Sequence, residues 1–300
     1  MRISAAVLGS PIAHSKSPLL HRAAFAALGM ESSEYSRFEL RADELEGFLD
    51  SHPDHIGFSL TMPLKDRLVT LAVERGWNVD DTAALTAAGN TLVRRSGQVQ
   101  VANTDVRGIV RAIAPHMEAE PHAAGGAGAG RATILGAGAT AASAIVACRD
   151  LGIAHVDFRV RNPDRSRRVI DLAERIGLTA SVGDLTRIDP SAIVISTLPA
   201  EAAPDPVWDD SLTPGGVALD VAYSAESAFL AAAAAHGLHP VDGTAMLVEQ
   251  AVAQFEMFLD AARAENPSTA ENLPAADDLS ARVAAAMYAA LAGPPARAQD

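Results

Sequence analysis

The chain has 300 residues, 49% hydrophobic and 4% aromatic, which allows two modest domains with cores built mainly from aliphatic side chains. A net charge of −13 excludes nucleic acid as a main partner, because no basic stripe is available to neutralise phosphates. No apolar run approaches the roughly 20 residues of a membrane helix. The single cysteine, Cys148, excludes an internal disulfide. We therefore expect a cytoplasmic protein without a membrane partner; the sequence leaves the oligomeric state open, with a homodimer among the alternatives.

The first hundred residues alternate strand-like runs with amphipathic helices. Their pattern predicts strands over 2–8, 34–40 and 56–60, and helices over 18–28, 43–49 and 64–75. Ser96 and Gly97 separate two further strand-like runs, which is the signal of a two-residue hairpin. A hairpin among α/β units favours a mixed sheet.

Two serines precede the first predicted helix. Ser17 fits the N-cap, Pro18 the first helical position, and Gly29 the C-terminal stop. Hydroxyls from Ser15 and Ser17 at a helix N-terminus can hold a carboxylate, since the free N–H groups and the helix dipole favour an anion there. The alternative is an ordinary cap beside an exposed loop.

A Gly- and Ala-rich tract over 123–130 interrupts this pattern and predicts a linker into a second domain. Beyond it, the sequence predicts strands over 131–135, 156–160, 192–195 and 217–221, and helices over 140–151 and 165–176. This βαβ rhythm is typical of a doubly wound sheet. A long helix over 244–262 should return the chain to the first domain, before a last helix over 278–291. We therefore expect an α/β protein with one domain over 1–104 plus 243–300 and a Rossmann-like domain over 105–242.

The segment that begins at Gly136 resembles a dinucleotide-binding turn. Gly136-Ala137-Gly138-Ala139-Thr140 follows a predicted strand and opens a helix, which is the context that this fingerprint requires. The glycines allow the backbone to approach a pyrophosphate on the helix N-terminus. A tight strand–helix turn that binds nothing is the alternative.

The end of the second strand of this domain bears on the choice of cofactor. An acidic side chain there would bind the ribose 2′-hydroxyl, whereas arginine would accept a 2′-phosphate. Arg161 and Arg165 flank a turn at this point and can hold a phosphate with paired donors. Asp157, earlier in the strand, is the carboxylate that would favour the unphosphorylated cofactor instead. The sequence predicts NADP(H).

Six segments in order, together with their spacing, resemble the shikimate dehydrogenase family over about residues 5–258. They are 9–21, 57–65, 88–92, 103–108, 135–140 and 242–250. The resemblance implies the reversible NADPH-dependent reduction of 3-dehydroshikimate to shikimate, a step of aromatic amino acid and chorismate biosynthesis. It also implies an N-terminal α/β substrate domain and a Rossmann-like cofactor domain.

Site residues follow from the same resemblance. It implies that Lys65 and Asp105 form the proton-handling pair; taken alone, they would be a surface lysine and a helix N-cap. The expected substrate contacts are Ser15, Ser17, Thr61, Asn90, Tyr223 and Gln250, whose hydroxyls and amides suit a polyol. The expected cofactor contacts are Gly136, Ala137, Gly138, Ala139, Thr140, Arg161, Asn162, Arg165, Thr197, Gly243 and Met246. No histidine spacing suggests a metal.

The chain departs from the family pattern at several positions. Arg22 stands where asparagine is usual, and Ser59-Leu60 replaces a more common Asn-Val. Such changes bear on substrate affinity more than on reaction type. The alternatives are a quinate or amino-shikimate dehydrogenase, a methylene-tetrahydrofolate dehydrogenase, and a non-catalytic NADP-binding sensor.

Overall fold

The computed structural model describes residues 1–117, 130–199, 206–209, 215–223, 226–265 and 276–293, without the side chains of Arg165, Ala276 and Asp277. The predicted Gly/Ala linker lies outside the described residues, apart from Gly130. The chain divides into two compact units, one formed by residues 1–104 with 250–300 and the other by residues 105–249. Both units have an α/β fold, as the sequence predicts.

The first unit contains a six-stranded mixed sheet. Its strands are β1 (Ser4–Gly9), β2 (Glu34–Glu39), β3 (Gly57–Leu60), β4 (Asn78–Val79), β5 (Thr91–Arg95) and β6 (Gln98–Ala102), in the order β2-β1-β3-β5-β6-β4. Its first helices are α1 (Ser17–Ala27), α2 (Leu45–Ser51), α3 (Lys65–Arg75) and α4 (Asp81–Thr86). All strands except β5 run in one direction. The carboxyl ends of β1, β3 and β6 therefore meet the start of β5 at one edge.

Burial of one apolar cluster holds this unit together. Leu8, Phe58 and Leu92 project from neighbouring strands, and Leu64 and Leu68 from the start of α3 pack against them. Each of these side chains is fully buried, and burying one such side chain contributes about 1.5–3 kcal/mol. The core therefore fixes α3 against the sheet.

Two local predictions for the first unit have different outcomes. Ser96 and Gly97 both have positive φ, 49° and 76°, as the predicted two-residue hairpin requires. Gly29 has φ 66° just after α1, which confirms the predicted stop. The predicted N-cap is wrong: Lys16 occupies the N-cap position without capping the helix through its side chain, and Ser17 is the first helical residue. Helix α1 begins one residue early because the Lys16 carbonyl already accepts a helical hydrogen bond, from the Leu20 N–H at 3.1 Å.

The second unit contains a parallel sheet of six strands. They are β7 (Arg131–Leu135), β8 (His155–Arg159), β9 (Thr179–Gly183), β11 (Ile193–Ser196), β13 (Val217–Asp220) and β14 (His239–Asp242), in the order β14-β13-β11-β7-β8-β9. The short strands β10 (Arg187–Ile188) and β12 (Val207–Trp208) pair separately. Its helices are α5 (Asp105–Met117), α6 (Ala139–Asp150), α7 (Arg167–Arg175) and α8 (Ala228–Ala235). This strand order is that of the doubly wound dinucleotide-binding fold.

Two further helices complete the chain, α9 (Gly243–Glu265) and α10 (Ala276–Ala292), and α10 packs against α1. The residues of α9 up to Glu249 belong to the second unit, and those from Gln250 to the first. Cys148 in α6 is fully buried, and burial raises the pKa of its thiol to about 12. It is the inert core residue that the sequence predicts.

Candidate active site

The sheet edge of the first unit brings together backbone segments that carry several predicted site residues. The Asn90 N–H donates to the Ala102 carbonyl at 3.0 Å, and the Leu60 N–H donates to the Asn90 carbonyl at 2.7 Å. The Gly89 N–H donates to the Lys65 carbonyl at 3.0 Å. Asn90 and the start of α3 at Lys65 therefore lie beside each other at this edge.

The side chain of Asn90 is 2% exposed and hydrogen-bonded on both sides of its amide. Its Oδ1 accepts from the Thr91 hydroxyl at 2.8 Å and from the Thr104 N–H at 2.9 Å. Its Nδ2 donates to Gln250 Oε1 at 3.4 Å. The structure thus brings together two predicted substrate contacts that are 160 residues apart in the sequence.

Lys65 and Asp105 each begin a helix, in α3 and α5 respectively. An anion at a helix N-terminus is stabilised by the dipole, whereas a cation there is opposed by it. Asp105 is buried and Lys65 is half-buried. Helix stability accounts for Asp105 but not for Lys65.

Composition holds a signal for Lys65 that the motif analysis missed. The chain has 24 Lys and Arg residues, of which only Lys16 and Lys65 are lysines. An ammonium can change its protonation state far more readily than a guanidinium, which remains charged in proteins. A lysine in a chain so dominated by arginine therefore suggests a role that arginine cannot fill.

Ser15, Ser17 and Thr61 also belong to this unit. The Ser17 N–H donates to Ser15 Oγ at 3.4 Å, so the two serines are adjacent at the start of α1. Ser17 is buried and Ser15 is half-buried. Thr61 follows β3, is half-buried, and its N–H donates to the Leu8 carbonyl at 2.9 Å. These hydroxyls lie on segments that follow the carboxyl ends of β1 and β3.

Sequence reasoning assigned no role to two residues that support this site. Asn103 Nδ2 donates to Thr86 Oγ1 at 3.0 Å and to the Ala88 carbonyl at 2.9 Å, which fixes the loop before Asn90. Gln254 donates to the Asn90 carbonyl at 3.1 Å. The spacing of Gln254, four residues after Gln250 on one helical face, is the signal that could have identified it.

The turn between β7 and α6 fits a dinucleotide phosphate. Gly136 has φ +108°, and an added Cβ would lie 2.5 Å from Thr197 Oγ1, so only glycine is accommodated. Gly138, the N-cap of α6, offers no side-chain cap, and an added Cβ there would meet nothing within 4 Å. The backbone N–H groups of Ala139 and Thr140, at the start of α6, are therefore accessible to a ligand.

The basic residues that the sequence predicts at the end of the second strand of this domain follow β8 in the structure. Arg161 is exposed, and Asn162 Oδ1 caps the following turn by accepting from the Asp164 N–H at 2.9 Å. Arg165 lies in that turn, although its side chain is not described. The strand end therefore offers exposed positive charge.

Asp157, the carboxylate that would favour the unphosphorylated cofactor, lies inside β8 rather than at its end. Its carboxylate is paired with Arg131 at 2.5 Å and with His155 at 3.1 Å, and it accepts from Ser181. Burial raises its pKa, but these hydrogen bonds outweigh that effect and lower the pKa below its usual value. Asp157 is thus committed to contacts within the sheet.

The remaining predicted residues of the second unit lie near strand ends. Thr197 follows β11 and donates to the Leu135 carbonyl at 2.8 Å. Tyr223 lies just beyond β13 and is 37% exposed, and the burial of the rest of the side chain raises the pKa of its hydroxyl. Gly243 begins α9, and a Cβ there would lie 2.5 Å from the Asp220 carbonyl oxygen. Met246 is buried one turn later. Ligands collect at such strand ends in open α/β sheets.

The described residues contain neither a metal-ligand cluster nor a membrane-spanning helix. No group of three or more His, Cys, Asp or Glu side chains in that part of the chain could hold a metal ion. None of the described helices is both long enough and apolar enough to cross a membrane.

Comparison with known proteins identifies the family. The family model described as shikimate dehydrogenase substrate binding domain matches residues 7–92. The shikimate dehydrogenase (NADP(+)) of Methylibium petroleiphilum is 36% identical over 267 residues, covering 83% of this chain and 87% of the relative. The shikimate dehydrogenase structure from Mycobacterium tuberculosis has 32% identity and a TM-score of 0.71, covering 95% of this chain and 99% of that one.

A shikimate 5-dehydrogenase from Thermus thermophilus was crystallised in complex with NADP(H) and shikimate. It is 27% identical, with a TM-score of 0.70, and covers 95% of this chain and 99% of that one. The structural match extends over almost the full length of both chains. The chain described here belongs to the shikimate dehydrogenase family.

Proposed function

We propose that this chain catalyses the reversible NADPH-dependent reduction of 3-dehydroshikimate to shikimate. The observation that carries the proposal is the sheet edge of the first unit, where the start of α3 at Lys65 lies beside the segment of Asn90, whose buried amide contacts that of Gln250. An acid–base group next to oriented amides suits a polyol that carries a ketone. The names of the relatives, shikimate dehydrogenase (NADP(+)), agree with this chemistry.

Lys65 supplies a proton to the ketone oxygen during reduction and removes it in the reverse direction. Its ammonium suits this role because a lysine can be tuned toward the operating pH, whereas a guanidinium cannot. Asp105 orients the ammonium and accepts a substrate hydroxyl. Both residues are catalytic in this proposal.

Six residues bind the substrate. Ser15 and Ser17, with the N-terminus of α1, hold its carboxylate. Asn90 and Gln250 contact ring hydroxyls through their amides, and Thr61 and Tyr223 add hydroxyl contacts. The first unit thus acts mainly as the substrate domain, in accord with the family model matched over residues 7–92.

The second unit would hold NADP(H), which would supply the hydride. The residues that would hold it are Gly136, Ala137, Gly138, Ala139 and Thr140 for the pyrophosphate, Arg161, Asn162 and Arg165 for the 2′-phosphate, and Thr197, Gly243 and Met246 for the remainder. The narrow turn at Gly136 and the exposed Arg161 support this assignment.

One assay tests the reaction, the substrate and the cofactor together. Absorbance of the reduced nicotinamide is followed with purified protein, NADP⁺ and shikimate, and in parallel with quinate and with NAD⁺. We expect fast reduction of NADP⁺ when shikimate is the substrate, and much slower reactions with quinate or with NAD⁺. Activity mainly with quinate or NAD⁺ would retain the chemistry and overturn the specificity, whereas folded protein inactive with every pair would favour a sensor.

A cytoplasmic location and a homodimer stay predictions.

A further inference from the structure

A line of buried polar side chains crosses the first unit and ends at Asn90. Tyr35 in β2, Ser59 in β3 and Gln254 in α9 are 1%, 4% and 2% exposed. The Tyr35 hydroxyl donates to Ser59 Oγ at 2.6 Å, and the Ser59 hydroxyl donates to Gln254 Oε1 at 2.7 Å. Side-chain hydrogen bonds within the apolar core therefore join three elements that are distant in the sequence.

Gln254 continues this line through its amide nitrogen. Its Nε2 donates to Thr91 Oγ1 and to the Asn90 carbonyl, both at 3.1 Å. The Thr91 hydroxyl then donates to Asn90 Oδ1 at 2.8 Å. The Thr91 hydroxyl has a single proton. Since its oxygen accepts the hydrogen bond from Gln254, its own proton is available to donate to Asn90.

The orientation of two amides follows from these contacts. Asn90 Oδ1 accepts from the Thr91 hydroxyl, from the Thr104 N–H and, at 3.2 Å, from the Thr104 hydroxyl, so a half-turn of the amide would place its NH₂ group against these donors. The Asn90 Nδ2 therefore donates to Thr104 Oγ1 at 2.9 Å and to Gln250 Oε1 at 3.4 Å. The Gln250 amide is oriented in turn, with its oxygen toward Asn90 and its nitrogen away from it.

We propose that Gln254 is a positioning residue for the substrate, acting through Thr91 to fix the amide orientations of Asn90 and Gln250. This inference rests on the proposed function, in which those two amides contact shikimate. Gln254 itself does not touch the substrate. Its contribution is specificity, because the orientation of each amide decides whether a substrate oxygen meets a donor or an acceptor.

Aromatic packing keeps the far end of the line fixed and uncharged. The His21 ring stacks on Tyr35 with 4.1 Å between centroids and 6° between planes, and it also lies against Phe255 and Phe258. Burial lowers the pKa of His21 to about 3 and raises the pKa of Tyr35 above its usual value. The donor directions therefore stay the same across the neutral pH range.

The first test compares Gln254→Met with Gln98→Met. Methionine keeps the length of the side chain and removes its hydrogen bonds, and Gln98 is an exposed residue of β6 in the same unit. We expect the KM for shikimate to rise about tenfold in Gln254→Met, the loss typical of one or two buried hydrogen bonds. The KM for NADP⁺ should stay within about twofold of the wild type. A merely structural role would lower the active fraction and leave both KM values unchanged.

A second variant keeps the proposal testable if Gln254→Met does not fold. Thr91→Val preserves shape and removes the hydroxyl between Gln254 and Asn90. We expect it to raise the KM for shikimate to a similar extent. In the double variant the two effects should not multiply, because both substitutions interrupt the same path.

Three outcomes separate this inference from the function on which it rests. A shikimate KM within about twofold of the wild type in both folded variants would overturn the role of Gln254, as would a parallel rise in both KM values. A wild-type enzyme that does not oxidise shikimate would instead overturn the proposed function. The side-chain amide resonances of Asn90, measured by NMR without turnover, should still shift in Gln254→Met and not in Gln98→Met.

Discussion

The two candidate binding regions of this molecule are built by different means. At the sheet edge of the first unit, side chains fix one another: Asn90, Gln250 and Gln254 are buried and hydrogen-bonded in a continuous line. At the turn after β7 in the second unit, the backbone provides the geometry, with Gly136 at φ +108°. The first arrangement can select the donor and acceptor pattern of a small substrate, whereas the second suits a phosphate that any correctly shaped backbone can hold.

The largest effect on activity should come from replacing Lys65, the proposed acid–base group at the sheet edge of the first unit. Lys65→Ala should lower kcat about 10²- to 10⁴-fold, since the positioned acid–base group is lost. Cofactor affinity, measured by the fluorescence of bound NADPH, should stay close to the wild type. Arg67→Ala serves as control, because Arg67 lies on the same helix and forms ion pairs with Glu46 and Glu74. Near-normal turnover in Lys65→Ala would favour the sensor alternative.

The next largest effect should be on the choice between NADP⁺ and NAD⁺, and it should come from a substitution in the second unit, outside the proposed substrate contacts of the first unit. Arg161→Ala should reduce the ratio of kcat/KM with NADP⁺ to that with NAD⁺ about thirtyfold, the loss expected for a charged hydrogen bond of about 2 kcal/mol. The matched control is Arg149→Ala, which removes an exposed arginine paired with Asp150. An unchanged ratio in Arg161→Ala would assign the 2′-phosphate to other residues.

A smaller effect should distinguish a specific role of the Gly136 turn in cofactor binding from the general contribution of a glycine to stability. Gly136→Ala should raise the KM for NADP⁺ about tenfold and leave the KM for shikimate unchanged, because the new Cβ would lie 2.5 Å from Thr197 Oγ1. Gly152→Ala introduces a residue at φ +82° where nothing lies within 4 Å. It should lower the melting temperature without affecting NADP⁺. Equal effects of both variants on NADP⁺ would contradict a special role for the Gly136 turn.

Acid stability should depend on a buried side chain of the first unit. His21 is neutral when folded, with its pKa lowered by burial from 6.5 to about 3. Between these values the unfolded chain binds the proton and the folded one does not, so stability falls as the pH falls below 6.5. The slope is about 1.4 kcal/mol per pH unit. Above the ordinary histidine pKa this contribution is constant.

Replacing the ring tests this assignment. His21→Phe keeps a ring against Tyr35 and removes the titrating group. Urea unfolding at about pH 7, 6 and 5 should give a flatter dependence of the unfolding free energy on pH in the variant than in the wild type. Equal slopes in the two proteins would assign the acid sensitivity to other groups.

Sequence pattern predicted the long elements and the strong turns. Arg131–Leu135 forms the predicted strand over its full length, and the Ser96-Gly97 hairpin follows from two residues that tolerate positive φ. Helix α8 and strand β14 were not predicted, because neither has a clear hydrophobic periodicity. Helix α8, with sequence AFLAAAAA, has no polar face, and strand β14 contains Pro240. Helix α5 was anticipated only through Asp105 as a helix N-cap, and its extent, up to a turn that contains Pro115, was not predicted.

The sequence by itself determined the fold class, the order of the motifs and the residue types that the chemistry requires, because these depend on local spacing and on side-chain functional groups. Tertiary structure alone decided which side chains meet. Asn90 and Gln254 are 164 residues apart, and no local pattern connects them. Their contact depends on the register of β3, β5 and β6 and on the packing of α9 against that sheet, both of which are set by burial of the whole core rather than by any one segment.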